Sequence, residues 1–419
     1  MMAATLARMA GGLLTFVLLA RYLHPEPFGL IATAMAYTAF MGILTDFGLG
    51  TAALRDAAAV PDQSAQIMAD ALAVKGLLAA LIVLVGGLAL TFLMPFDRLL
   101  IYGFVFAGAL AYSFGELSLV AARANGRFDL EAKTVIASSV VMLVLVGGVA
   151  ALTGAVMPVA IAFFVTRLGY LLLVLVTLRR WLGNPFTSNW SGIVSTGRRA
   201  SSYAADSCLT SLATQIDVLL FGVFLSLHDM GIYQSGARLV QVIVPFAVVL
   251  STVYLPSLVA ARTHGRDVEY RGNATRLTWE FTCLAVLSGL GFTFVAPAFT
   301  DLLYGNAYRA LQPLWPGFAV FACLRLAASA YGVQLVALGR IRARLINSVA
   351  SIAVLFGTTL LVMPKFGLAS STWILALSAV PPFLFLGTAL MRTGLGGRHV
   401  LGSMVLTLTV VAVLVAAQI

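Results

Sequence analysis

Apolar residues run in blocks of about twenty along the whole chain, broken by short polar turns, and each block is long enough to cross a ~30 Å hydrocarbon core as a helix. The pattern predicts spans at 4–23, 28–52, 68–94, 98–121, 133–153, 157–178, 200–225, 229–260, 275–299, 310–338, 343–363, 367–391 and 399–418. A membrane barrel would show alternating ten-residue segments, and none occurs. The fold class expected is an all-α polytopic membrane protein of about thirteen spans. One polar stretch, RRWLGNPFTSNWSGIVSTGRR, interrupts the rhythm between the sixth and seventh spans. It divides the chain into a six-helix lobe at 1–180, a linker at 181–198, a second six-helix lobe at 199–393 and an additional helix at 394–419.

The two lobes carry traces of duplication. Tyr22 to Arg55 and Phe224 to Arg262 both leave an apolar segment, cross a short turn with an acid (Glu26, Asp229) and start a long helix through Gly29-Leu30 or Gly231-Ile232. Leu119-Val120-Ala121 ahead of Gly126-Arg127 matches Leu335-Val336-Ala337 ahead of Gly339-Arg340 at a similar separation. Both lobes begin on the same side, so a parallel repeat about the membrane normal is expected. The span at 399–418 falls outside both copies and is expected to be dispensable for transport.

Composition sharpens this picture. Hydrophobic residues make up 61% of the 419 and charged residues 10%, against roughly 45–50% and about 25% in soluble domains. Nineteen loop Lys and Arg residues fall on one side and only Arg21, Arg98, Arg309 and Lys365 on the other, which places the N-terminus in the cytoplasm. The net charge of +10 is then a matter of topology and anionic headgroups, with no nucleic acid needed. Cys208, Cys283 and Cys323 are widely spaced and the four histidines lie on separate loops, so no disulfide framework, metal site or cofactor is indicated.

Charges inside spans usually face a cavity or a partner. Asp206, Thr210, Thr214 and Asp217 repeat at helical spacing on the seventh span, and Gln234, Arg238, Gln241 and Pro245 share a face of the eighth, which Pro245 is expected to kink. Arg238 and Asp217 come out at similar depth and form either a substrate contact or a structural ion pair. Asp46 and Arg55 flank Phe47-Gly48-Leu49-Gly50, fitting a helix-end salt link or a ligand contact. Glu116 and Arg325 are divided between cavity lining and buried pairing, Arg167 has no local partner, and Arg276–Glu280 is a structural i,i+4 pair. Gly11-Gly12, Gly86-Gly87 and Gly147-Gly148 suit close helix packing.

The segments PEPFGL, TDFGLG before Arg55, GIYQSGARL, LYGNAYRALQPL and GRIRARLINSVASIAVLFGTTLLVMPKFGLASSTW, in this order, resemble the oligosaccharide flippases of the multidrug/oligosaccharidyl-lipid/polysaccharide exporter superfamily. The resemblance implies a V-shaped pair of six-helix lobes that moves a polyprenyl-pyrophosphate-linked glycan to the outer leaflet of the inner membrane by alternating access. It implies lipid-linked oligosaccharide and membrane lipids as partners, together with glycan polymerase machinery. Arg238 matches the Arg that follows GIY on the eighth helix, in a family that commonly holds pyrophosphate in a cationic cavity. On this reading Arg238, Gln234, Gln241, Asp217, Thr214 and Arg325 bind substrate, and Asp206, Asp46, Glu116 and Arg55 serve coupling or line the cavity.

Two other functions share these features. A multidrug or metabolite exporter of the same superfamily would use Asp206 and Asp217 for a coupling cation. A membrane enzyme on lipid-linked glycans needs acids or bases over a bound acceptor, and the outer loops near 24–27, 153–156 and 226–229 are too short to carry them.

Overall fold

The computed structural model describes residues 2–93, 95–182, 188–212, 215–395 and 397–416, and within these the side chains of all but 2–6, 61, 89–90, 93, 181–182, 205–207, 209–211, 341–342 and 344–345. Every regular element among them is helical. Packing divides the chain into two compact units, Met1–Leu219 and Leu220–Ile419.

The first unit begins with α1 (Met2–Leu23), α2 (Pro25–Asp46), α3 (Leu49–Ala59) and α4 (Ser64–Leu93). It continues with α5 (Phe96–Ser118), α6 (Val120–Ala124), α7 (Phe128–Thr153), α8 (Val156–Leu182) and α9 (Trp190–Leu212). Pro25 opens α2 at a position where its missing N–H is no loss, and Glu26 complements the positive end of the helix dipole. At the other end Phe47 and Gly48 turn left-handed and reverse the chain into α3. Gly48 is required twice over. Its φ is +75°, and a Cβ there would lie 2.9 Å from the Ala200 carbonyl oxygen and from Tyr203.

Helix α5 is the axis of this unit, packing against α2, α4 and α8. Gly108 and Gly115 leave room on α5 for the Phe163 and Tyr170 rings of α8. Between α1 and α7, Gly11 meets Ser139 and Gly147 meets Leu18, while Gly12, Gly86, Gly87 and Gly148 face open space. Only one glycine of each of those two pairs therefore brings helices together.

Helix α10 (Ile216–Phe224) crosses the division between the units. The second unit then holds α11 (Leu227–Val240), α12 (Val244–Thr263), α13 (Asp267–Leu290), α14 (Ala296–Tyr304) and α15 (Trp315–Ala337). It ends with α16 (Ile341–Phe366), α17 (Leu368–Ser378), α18 (Val380–Met391) and α19 (Gly397–Ala416). Its axis is α15, against which α12, α13, α17, α18 and α19 pack. Ahead of Pro245, where a kink is expected, a 3₁₀ turn at Gln241–Ile243 separates α11 from α12, with Pro245 in the first turn of α12.

Three readings of the sequence need revision. The spacing predicts one helix over 200–225, whereas α9 already starts at Trp190 and Gln215 stands in a turn ahead of α10. The part of α9 assigned to the linker packs on α3 and α4 of the first unit. Amphipathic α9 is too polar to stand out as one helix from periodicity alone, and Asp56, which docks it through Arg199, lies 143 residues upstream.

The helix at 399–418 is no appendage either. Val400, Ser403, Met404, Thr407 and Leu414 of α19 are buried, Met404 against Gly387 and Leu414 against Gly289. Ser403 Oγ lies 2.7 Å from Thr282 Oγ1 and 2.8 Å from the Tyr331 hydroxyl, tying α19 to α13 and α15 at once. Eleven helices among the described residues are long and apolar enough to cross a membrane; the expected spans 4–23 and 200–225 are not among those eleven.

Candidate functional site

Six charged side chains of the first unit, Arg8, Asp46, Lys75, Glu116, Arg123 and Glu131, gather where α2 and α5 end and α7 begins. Asp46 closes α2, and Lys75, the twelfth residue of α4, reaches across to it. The Lys75 side chain is 1% exposed, whereas that of Asp46 is 51% exposed. Lys75 donates to Asp46 Oδ1, to Ser113 Oγ at 2.5 Å and to the Ser113 carbonyl at 3.1 Å, so its three N–H groups are all used. Ser113 in turn donates to Asp46 Oδ1 at 2.9 Å. The lysine therefore fixes the carboxylate and stays inside.

One helical turn along α5, Glu116 accepts from Arg8 at 3.0 Å, from Arg123 at 3.0 Å and from the Tyr170 hydroxyl at 2.7 Å. Arg123 also donates to Glu131 at 2.9 Å, and Arg8 approaches the same carboxylate at 3.7 Å. Tyr170 stacks on Tyr112, with centroids 5.2 Å apart, and the Arg167 guanidinium lies 4.0 Å from the Tyr112 centroid. Arg167 is thus held by the negative faces of the Tyr112 and Phe163 rings, a partner type that charge spacing in sequence does not reveal. A cavity of about 200 Å³ opens between the two clusters, lined by Asp46, Gly48, Gly50, Thr51, Lys75, Ser113, Glu116, Leu117, Val120 and Arg123.

Asp46 and Glu116 are brought together at this cavity as its two carboxylates. Arg55 is not the partner of Asp46. It donates to the Tyr203 hydroxyl at 2.5 Å, next to the Arg199–Asp56 pair at 2.7 Å, and both contacts dock α9 on α3. Glu116 combines the two roles left open for it, lining the cavity while pairing with two arginines.

The remaining candidates lie elsewhere. Asp217 stands in the first turn of α10 and is counted with the first unit. Thr214 lies outside the described residues, as do the side chains of Asp206 and Thr210. In the second unit Gln234 is buried in α11, while half-buried Arg238 donates to exposed Gln241 at 3.1 Å across the start of the 3₁₀ turn. Arg325 is exposed on α15, on a face with half-buried Phe321 and Ser329. The structural pair Arg276–Glu280 is present at 3.0 Å, with Tyr254 donating to the same carboxylate.

Lys75, Arg8, Arg123, Glu131 and Tyr170 escaped the sequence reading. Lys75 carried a usable signal, an ionisable residue within the span 68–94, but was counted among the loop charges that set orientation. Glu131 and Arg123 sit beside loops, and nothing in their spacing marks them as parts of one network.

A family model for polysaccharide biosynthesis proteins matches residues 1–261. The chain belongs to that family. No curated protein matches it in sequence. Among solved structures, an inward-facing multidrug resistance MATE family transporter of the MOP superfamily aligns with a TM-score of 0.72 at 14% identity, over 92% of this chain and 95% of its own. The lipid II flippase MurJ in an inward closed conformation gives 0.72 at 12% identity, over 99% and 97%. A MOP superfamily transporter from Pyrococcus furiosus, described by the reversed polarity of its binding pocket, gives 0.60 at 13% identity, over 94% and 95%. At these identities the likeness is one of fold: the chain folds as these three transporters do.

Proposed function

We propose that this protein flips a polyprenyl-pyrophosphate-linked oligosaccharide from the cytoplasmic to the outer leaflet of the inner membrane, by alternating access between two lobes with the N-terminus inside. The family match over residues 1–261 carries the reading. Helix α5 in the first unit and α15 in the second hold equivalent central places, which supports the parallel repeat. The division into lobes at 1–180 and 199–393 belongs to the same proposal, with α9 now joined to the first.

Arg238 is the proposed pyrophosphate contact, since a guanidinium offers two parallel donors to a phosphate. Gln234 and Gln241 flank it on the same broken helix, and Arg325 supplies a second exposed cation on α15. Asp217 is proposed to orient Arg238 when no substrate is bound. Depletion of the protein should leave lipid-linked glycan on the cytoplasmic leaflet. Arg238→Lys should weaken flipping while preserving the fold, and Arg238→Ala with Asp217→Ala should restore expression without restoring flipping. Full transport by that double variant would leave the pair with a structural role only.

The second reading, a multidrug or metabolite exporter, rests on the MATE family structure aligning as well as MurJ does, at a TM-score of 0.72. Drug or dye efflux that depends on the protein, with lipid-linked glycan unaffected by its loss, would favour that reading.

A further inference from the structure

We infer that the first-unit cavity is a recognition site for a single sugar ring, with Asp46 as the acceptor of sugar hydroxyls; this rests on the flippase reading and names what the site holds. The carboxylate is prepared for such a contact. Both of its protein hydrogen bonds, from Lys75 and Ser113, end on Oδ1. Oδ2 takes no hydrogen bond among the described residues, on a side chain that lines the cavity, is half exposed and is tethered through its other oxygen to buried Lys75.

The charge balance of the walls decides among ligand classes. An anion would meet Asp46 and Glu116, both lining the cavity. A cation would meet Lys75, Arg123 and the positive N-terminal end of α3, whose first amides receive no side-chain cap. A neutral molecule with both donors and acceptors meets neither repulsion. It can donate to Asp46 Oδ2 and accept from the uncapped amides of α3 and from the exposed Thr51 hydroxyl. The volume, about 200 Å³, falls below the ~300–1,000 Å³ of pockets for drug-sized ligands, which suits one ring of a glycan and not the whole chain.

The site can be tested without measuring transport. In full-length protein with Cys208, Cys283 and Cys323 replaced by alanine, Thr51→Cys places a thiol at the cavity, and its rate of maleimide labelling reports occupancy. Glycan released from the lipid-linked fraction of the same cells should slow labelling, while inorganic pyrophosphate and sodium chloride at matched concentration should not. Asp46→Asn should raise the half-protecting glycan concentration about tenfold or more, the loss expected from weakening hydrogen bonds to a charged acceptor. A control thiol at exposed Ser191 should label at the same rate throughout. Protection by pyrophosphate or sodium in place of glycan overturns the proposal, and so does no protection by any of the three. If glycan protects but the protein flips no lipid-linked glycan, the sugar site stands and the flippase reading falls.

Discussion

The interiors of the two units are joined by different chemistry. In the first, helices are connected by ions: Glu116 and Glu131 gather Arg8 from α1 and Arg123 from α6, and Lys75 binds Asp46 between α4 and α2. In the second, the core around α15 uses neutral groups. Gln334 donates to Thr278 at 2.8 Å, Ser403 bridges Thr282 and Tyr331, and Trp315 donates to Thr300 at 2.9 Å. Aromatic rings complete it, with Tyr233 between Phe221 and Phe318. A neutral network missing one member leaves a modest defect, whereas an ionic one leaves a stranded charge. The first unit should therefore be sensitive at single positions, and the second chiefly to loss of a whole helix.

The largest effect expected is from removing α19 by truncation before Gly397. That change strips Val400, Ser403, Met404 and Leu414 from the core of the second unit, and monodisperse protein should not survive size-exclusion chromatography in detergent. Recovery of well-folded truncated protein would return α19 to the role of an appendage. Next comes Glu116→Ala, which leaves Arg8 and Arg123 short of a counter-charge and should cost about 3 kcal/mol or more. Thermal unfolding should show it clearly, with Glu116→Gln milder.

Ser403→Ala, in the neutral network, should cost about 1 kcal/mol. Equal losses for Glu116→Ala and Ser403→Ala would erase the contrast between the units. The smallest effect is that of Asp56→Ala, which removes a partly exposed ion pair with Arg199 and should cost under ~1 kcal/mol. A bifunctional thiol reagent joining Asp56→Cys to Arg199→Cys then sharpens the assignment of α9. Transport should persist with the bridge in place, because both ends belong to one unit.

Where function shows in the sequence follows from the range of the interactions. Membrane class and most spans were legible, because hydropathy is a local property and a bilayer demands the same length of every helix. The break at Pro245 was legible for the same reason, since a missing N–H acts within one turn. The turn at Gln215 ahead of α10 was not, because polar periodicity runs across it without interruption. At the candidate site, Asp46 and Glu116 could be picked out as acids within helices, but their partners could not. Arg8 lies 108 residues from Glu116, and Ser113 lies 67 from Asp46. Pairing over such separations is decided by which helices pack together, and that is a property of the assembled bundle.

The placement of α19 also governs the order in which the chain can mature. Every partner needed for the ionic interior of the first unit is present once α8 has been made, so that bundle can close while synthesis continues. The second unit has no such freedom. Thr282 must wait 121 residues for Ser403, and until α19 is inserted the groove between α13 and α15 stays open to lipid. Ribosomal pausing in the stretch encoding α16 to α18 would lengthen the life of that half-built bundle, making it the stage at which membrane quality control has the longest opportunity to act.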